Sequence, residues 1–190
     1  MARKVFFSFH YERDAQRAAI VRNCDMIPND DEYGVIDRAE WETIERGGDR
    51  AIREWILSQL KHTTATVVLI GTETASRDWV HYEIKESWER GNAIVGLRIH
   101  AIKSFEQKTD PMGVNPLDLI KLEDGRPLSS VCPTYDWIAN DGRNNLGTWV
   151  EAACQSQAEC DRELARSAPT SPITAAGPAI IKNPPRPWAK

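Results

Sequence analysis

The stretch TVVLIG, residues 66–71, decides the fold class of this chain, because it is an uninterrupted apolar run that ends at a glycine. Such a run predicts a strand covered on both faces, as the strands of parallel sheets are. The following segment predicts a helix that starts at Asp78 as its N-cap and carries Val80 and Ile84 on one side. Gly91 is placed to end this helix in the left-handed conformation.

Alternation of strand and helix patterns extends in both directions from this strand. Further strands are predicted at residues 5–9, 34–37, 93–99 and, as an edge strand despite Pro133, 131–138. Helices are predicted at about residues 15–25, from residues 47–49 to Leu60, and at residues 147–166. This order indicates βαβ units with right-handed crossovers. The expected fold is an α/β flavodoxin-like fold, with a parallel sheet and helices on both faces.

Length and composition fit one globular domain at residues 1–166, followed by a tail. The chain has 190 residues, and residues 167–190 hold six of its 11 prolines, three basic residues and no acidic one. Such a segment cannot build a core, so a flexible Pro-rich basic tail is expected. Residues 100–127 form an unusually long connection, which indicates an elaborated loop or lid.

Charge and cysteine usage exclude several classes of protein. The formal net charge is −4, which argues against a broad basic face for nucleic acid or an anionic membrane. No apolar stretch reaches the ~20 residues that a spanning helix needs, and no signal-peptide pattern is present, so a cytoplasmic protein is expected. The four cysteines show no CxxC or zinc-ligand spacing, which predicts reduced, buried thiols and no metal site. They are Cys24, Cys132, Cys154 and Cys160.

The common nucleotide and hydrolase motifs are missing. The sequence contains no GxGxxG after the first strand, no GxxxxGK[ST] and no GxSxG. In open α/β sheets, ligands bind beyond the carboxyl ends of the strands. This rule predicts that residues 8–10, 37–41 and 71–73 lie near the helix start that carries Trp79 and Glu83.

Glu83 is the carboxylate with the most suggestive neighbours, since Trp79 and Tyr82 flank it in sequence. Three further aromatic side chains are candidates to join it in space: Phe6, Phe9 and Trp41. A carboxylate walled by aromatics would have a raised pKa and could stabilise a developing positive charge or bind ribose hydroxyls. Its position alone, beside Lys85 and Glu86, favours an ordinary solvated helix carboxylate.

Several blocks of the sequence resemble one family in the same order. They are VFFSFHYERD (5–14), GVIDRAEW (34–41), VVLIGTETASRDWVHYEI (67–84), GNAIVGLRIH (91–100) and YDWIANDG with the Trp149 helix beyond it (135–150). Together they resemble the TIR-like proteins of the bacterial Thoeris anti-phage system. The resemblance implies a TIR fold and an enzyme that cleaves the nicotinamide–ribose bond of NAD and cyclises the ADP-ribose. The product would be a messenger that activates a separate effector protein.

The resemblance also implies roles for individual residues. The family's catalytic glutamate falls on Glu83, which would stabilise an oxocarbenium-like transition state as glycosidase carboxylates do. Substrate-lining positions would be Phe6, Ser8, Phe9, Asp37, Trp41 and Trp79. NAD would be a substrate and no cofactor is expected. The expected partners are the downstream effector, a phage-derived trigger and further copies of the chain.

Two other functions stay open at this stage. A non-catalytic TIR-like scaffold or sensor could act through its exposed faces and the basic tail. A nucleoside-transferring enzyme could use Glu83 as a covalent nucleophile. The first differs from the cyclase in tolerating Glu83→Gln, and the second in forming a ribosyl adduct on Glu83.

Overall fold

The computed structural model describes residues 3–24, 43, 44 and 46–167, in which helices connect successive strands. The elements follow one another as β1 (Val5–Ser8), α1 (Tyr11–Arg22), α2 (Gly48–Leu60), β2 (Ala65–Ile70), α3 (Asp78–Glu89), β3 (Ala93–Arg98), α4 (Pro116–Leu119), β4 (Thr134–Asp136) and α5 (Gly142–Ser167). Short 3₁₀ turns occur at Thr74–Ser76 and Leu128–Ser130. The strand predicted at residues 34–37 and residues 168–190 of the predicted tail lie outside the described residues.

The four strands of the described residues pair in the order β1, β2, β3, β4, and every pairing is parallel. Ser8 at the end of β1 lies opposite Val68, which lies opposite Gly96. Pro133 directly precedes β4 and contributes through its carbonyl, which accepts a hydrogen bond of 2.8 Å from the backbone N–H of Gly96. The parallel sheet with intervening helices confirms the α/β flavodoxin-like fold predicted from the sequence.

Side chains of β1 and β2 alternate between two faces of the sheet, and each face packs against helices. Phe7 and Val67 point to one face, where they join apolar residues of α1 and α5 in a core cluster. Phe6 and Val68 point to the opposite face, where the apolar residues of α2 and α3 lie. We call these the α1/α5 face and the α2/α3 face. Ser8 has the same register as Phe6 and so lies on the α2/α3 face.

The ends of three helices differ from the sequence predictions. Helix α1 runs over Tyr11–Arg22 instead of about residues 15–25. Asp78 is the first residue of α3 and not its cap; Arg77 holds the N-cap position, and its side chain makes no capping hydrogen bond. Helix α5 begins at Gly142, five residues earlier than predicted, because the turn before it runs directly into the helix. Gly91, in contrast, has the predicted left-handed backbone with φ of 79° and follows the end of α3.

The long connection after β3 lies against the carboxyl ends of β2 and β3. The side chain of Arg98 donates a hydrogen bond of 3.0 Å to the carbonyl of Gly113, and the Thr72 hydroxyl donates one of 2.7 Å to the carbonyl of Pro111. A Cβ atom on Gly113 would lie 2.1 Å from the carbonyl oxygen of Gly71. This close approach requires a glycine, and it holds the connection on the edge of the sheet where ligands bind in this fold class.

Three of the four cysteines, Cys24, Cys132 and Cys154, are buried free thiols, as predicted. The side chain of Cys160 lies outside the described residues. Burial raises the pKa of Cys132 to about 12, which keeps its thiol protonated and unreactive. Between residues 3 and 167, no described helix has the length and apolar character needed to cross a membrane.

Candidate active site

Ser8 and Glu83 form a buried hydrogen-bonded pair at the carboxyl end of β1. The hydroxyl of Ser8 lies 2.5 Å from a carboxyl oxygen of Glu83, and neither residue is appreciably exposed. Glu83 faces the sheet because it shares the inward side of α3 with Val80, Ile84 and Ser87. The buried position is the opposite of the solvated one that sequence position alone favoured. The structure thus brings together two residues that the resemblance implied for the site.

The burial of Glu83 changes its protonation. Loss of solvation raises the pKa of this carboxyl from 4.5 to about 8, and the hydrogen bond from Ser8 lowers it in the opposite direction. The effect of desolvation on the pKa is the larger one, because the buried carboxylate loses several hydrogen bonds to water and gains one from a hydroxyl. Glu83 is therefore mostly neutral at pH 7. A carboxyl with a strongly shifted pKa at a ligand-binding edge is a candidate functional group.

A short chain of hydroxyls fixes the backbone that carries Glu83. The hydroxyl of Ser87 donates a hydrogen bond of 2.7 Å to the carbonyl of Glu83, one turn earlier on α3. Thr66 of β2 in turn donates a hydrogen bond of 2.8 Å to the Ser87 hydroxyl. All three groups are buried, so these bonds are not exchanged with water. They hold the helix against the sheet at the turn where the carboxyl must be aimed.

The aromatic residues predicted around Glu83 divide between core and rim. Phe6 is buried on the α2/α3 face, with a side chain that packs against apolar residues of α2. Trp79 and Tyr82 are half-buried against the same cluster, and their rings meet edge to face at 5.9 Å between centroids. The guanidinium of Arg53 lies 5.6 Å from the centre of the Tyr82 ring. Trp79 and Tyr82 thus form a partly exposed aromatic surface on α3.

Phe9, by contrast, does not join this group. It packs against the apolar cluster of the α1/α5 face, and its ring lies 6.1 Å from the ring of Tyr11. The reason is register, since Phe9 follows Ser8 by one residue and successive side chains alternate between faces. Asp37 and Trp41, which were also predicted for the site, lie outside the described residues.

A second polar contact joins the same two segments nearer to solvent. His10, two residues after Ser8, is buried, and its ring nitrogen Nε2 contacts the guanidinium of Arg77 directly before α3. Burial and the charge of Arg77 lower the pKa of His10, so its ring is neutral at pH 7 and accepts from Arg77. Glu73 lies 3.9 Å from His10 and is bound by Arg13. The rule that ligands bind beyond the carboxyl ends of the strands predicted His10 near the site. Sequence reasoning missed Arg77, although its position directly before α3 places it at the same edge of the sheet.

A buried ion-pair network lies beside this rim. Arg17 bonds to Asp110 at 2.9 Å and to the carbonyl of Ile102 at 2.8 Å, so it ties α1 to the long connection. Asp14 is completely buried, and burial raises its pKa. These contacts fix α1 against the long connection. In the described part of the chain, no three His, Cys, Asp or Glu side chains are arranged to bind a metal ion.

Comparison with known proteins places this geometry in a family. Residues 6–104 match the family described as "Thoeris protein ThsB, TIR-like domain". A protein of Bacillus cereus (strain MSX-D12), named "Putative cyclic ADP-D-ribose synthase ThsB1", is 34% identical over 191 aligned positions. That alignment covers 79% of this chain and 100% of the relative. Ser8, Arg77 and Glu83 all lie within the matched residues.

Proposed function

This chain belongs to the Thoeris ThsB family of TIR-like proteins, and we propose that it cleaves NAD between nicotinamide and ribose and cyclises the ADP-ribose that remains. One observation carries the proposal: the carboxyl of Glu83 is buried beside Ser8, at the edge of the sheet where ligands of this fold class bind. The relative named as a cyclic ADP-D-ribose synthase supports the same class of reaction.

In the first step, the bond between ribose C1′ and the nicotinamide nitrogen breaks. Both electrons go to the nitrogen, which carried the positive charge, so nicotinamide leaves as a neutral molecule and needs no general acid. Positive charge develops on the ribose as an oxocarbenium ion, and the carboxylate form of Glu83 stabilises it. Because Glu83 is mostly neutral at pH 7, its proton must leave before it can act in this way.

In the second step, a nucleophile attacks ribose C1′. If the adenosine part of the same molecule attacks, a new bond closes the ring and one proton is released. If water attacks first, the product is linear ADP-ribose. Burial of the carboxyl and the aromatic surface of Trp79 and Tyr82 on the same helix support cyclisation, because apolar groups beside the bound ribose would limit the access of water.

The cyclic product would act as a messenger. We assign to it the activation of a separate effector protein in anti-phage defence, in keeping with the family to which the chain belongs. A phage-derived trigger and assembly of several copies are parts of the same proposal.

Product analysis tests the proposed reaction. Purified protein is incubated with NAD, and nicotinamide, linear ADP-ribose and cyclic products are separated by chromatography and identified by mass. Wild-type protein and the control Glu89→Gln, which changes an exposed carboxyl of the same helix, are expected to release nicotinamide and a cyclic product. Glu83→Gln is expected to release neither.

Two outcomes would replace the proposal. If Glu83→Gln protects cells from phage as well as wild type does, the protein acts as a non-catalytic scaffold. If a ribosyl adduct on Glu83 accumulates during turnover, the carboxylate acts as a covalent nucleophile and the enzyme is a nucleoside transferase. Protein that is silent alone is assayed again with phage lysate, since assembly can complete a site.

A further inference from the structure

Two cross-connections join the end of β1 to α3, and they differ in exposure and charge. The inner one is the buried, uncharged contact of Ser8 with Glu83. The outer one is the contact of His10 with Arg77, whose side chain is 43% exposed. His10, the N-cap of α1, follows Ser8 by two residues, about 6.5 Å of extended chain. Arg77 precedes Glu83 by six residues, about 9 Å along a helix axis.

The guanidinium of Arg77 is poorly satisfied for a group in this position. Its Nε atom is buried and has no hydrogen-bond partner among the described residues. Its contact with His10 is to a neutral ring, and the carboxylate of Glu12 is 3.9 Å away and largely exposed. An exposed ion pair at that distance contributes little. Because the Arg77 side chain is 43% exposed while Nε is buried, a stronger acceptor would approach through the terminal nitrogens of the guanidinium.

Neighbouring carboxylates do not fill this role. Glu73 approaches His10 at 3.9 Å, but its hydrogen bond is to Arg13, which also reaches Asp110 at 3.4 Å. Arg13 and Glu73 thus compensate each other. Arg77, in contrast, has the exposed carboxylate of Glu12 at 3.9 Å as its carboxylate neighbour among the described residues, with no hydrogen bond to it.

From this arrangement we infer that Arg77, held in place by His10, binds the pyrophosphate of a dinucleotide whose ribose meets Glu83. The inference rests on the proposed function for the ribose end and extends it to the rest of the substrate. A guanidinium binds phosphate oxygens through two parallel, charge-assisted hydrogen bonds. In NAD the pyrophosphate is one ribose away from the bond that breaks. The inner contact would then face the reacting ribose and the outer one the charged bridge, and the site would select dinucleotides over nucleosides.

Direct binding tests this anion site without any need for turnover. Isothermal titration of the full-length protein with inorganic pyrophosphate is compared for wild type, Arg77→Gln and Arg90→Gln. Arg90 lies at the opposite end of α3 and is exposed, so it serves as the matched control. Arg77→Gln is expected to weaken binding about tenfold or more, the effect of losing a charge-assisted bidentate contact. Arg90→Gln is expected to bind as wild type does.

A variant that is expected to strengthen pyrophosphate binding gives a second test. Glu12→Gln removes the carboxylate nearest to Arg77 and is expected to strengthen pyrophosphate binding by up to about threefold, the scale of one exposed charge contact. Arg77→Lys keeps the charge but loses the planar donor pair, so its affinity is expected to fall between wild type and Arg77→Gln. Thermal melting of each variant shows whether it is folded.

Kinetics separate this inference from the proposed reaction. Arg77→Gln is expected to raise KM for NAD about tenfold and to leave kcat/KM for nicotinamide riboside, which has no pyrophosphate, within about twofold. Equal pyrophosphate affinity of folded Arg77→Gln and wild type, or no binding by wild type, overturns the inference. Arg77-dependent binding with no cleavage of NAD, by the protein alone or with phage lysate, upholds the anion site and overturns the proposed reaction.

Discussion

Two glutamates on two helices show how far the environment of a carboxyl group can shift its pKa. Glu83 of α3 is buried, and burial raises its pKa to about 8. Glu151 of α5 lies at the surface, where the guanidinium of Arg3 binds both of its oxygens at 2.8 and 2.9 Å and lowers its pKa to about 2. The exposed pair keeps its charges at low cost and joins the N-terminal strand region to α5. Among the residues that the structure describes, no cation offsets the burial of the Glu83 carboxyl, so its placement opposes folding and indicates a chemical role.

The largest difference between the two glutamates is expected in catalysis. Glu83→Gln removes the charge that stabilises the oxocarbenium ion and is expected to lower kcat/KM for nicotinamide release by about 10²–10³-fold. Glu151→Gln is expected to change it less than about twofold, since Glu151 lies on the helix of the opposite face. The rate of nicotinamide release from NAD by each variant checks this. Equal losses in the two variants would contradict the assignment of Glu83.

The next difference is expected in the pH dependence of stability. Between about pH 4.5 and about pH 8 the unfolded chain ionises Glu83 while the folded protein keeps it protonated. The free energy of unfolding of wild type therefore falls as pH rises through this window, by up to about 1.4 kcal/mol per pH unit from this group. Urea unfolding at pH 5 and at pH 8 measures it. In Glu83→Gln this fall is expected to disappear, and a fall unchanged from wild type would show that Glu83 is not its source.

A smaller change is expected from Ser8→Ala. The hydroxyl of Ser8 lowers the pKa of Glu83, so its loss raises that pKa further. The rising limb of kcat/KM for NAD, which reports the ionisation of Glu83 in the free enzyme, is expected to move to higher pH. Ser58→Ala, at an exposed position of α2, is the control and should keep the wild-type profile. If Ser8→Ala lowers the rate but leaves the pH of the rising limb of kcat/KM unchanged, Ser8 has only a structural role.

The smallest effect is expected at Glu151. Its lowered pKa means that the pair with Arg3 stabilises the fold above about pH 4.5 and that this contribution is lost as pH falls towards about 2. Glu151→Gln is expected to lower the melting temperature slightly at pH 7 and not at pH 2. Because the pair is exposed, added salt should reduce the difference at pH 7. A melting difference of the same size at pH 2 would point to packing of the side chain and not to its charge.

The helices and strands could be predicted from local sequence patterns. The site could not, because it depends on which face of the sheet or helix each side chain lies on. The apolar run at β2 and the glycine after α3 predicted a parallel sheet, because burial on both faces and a left-handed backbone leave clear marks in sequence. The burial of Glu83 left no such mark, since Lys85 and Glu86 beside it are typical of a solvated helix side. The resemblance to Thoeris TIR-like proteins singled it out.

The aromatic residues show that a difference of one position along a strand decides which face of the sheet a side chain packs on. Phe6 and Phe9 both suggested a wall beside Glu83, yet Phe9 packs on the α1/α5 face. The contact of His10 with Arg77 was not foreseen, because it joins segments 67 residues apart in the chain. Such pairs follow from the packing of α3 on β1 and have no local pattern.

Carbon-13 NMR of the glutamate carboxyl carbons tests the central claim most directly, since it follows each ionisation in the folded protein. Protein labelled at these carbons is titrated from pH 2 to pH 10, and the signals of Glu83 and Glu151 are assigned by their loss in Glu83→Gln and Glu151→Gln. The account predicts that Glu83 titrates near pH 8 and Glu151 near pH 2. If Glu83 titrates near 4.5 with the other glutamates, it is solvated, and the buried carboxyl on which the proposed reaction depends does not exist.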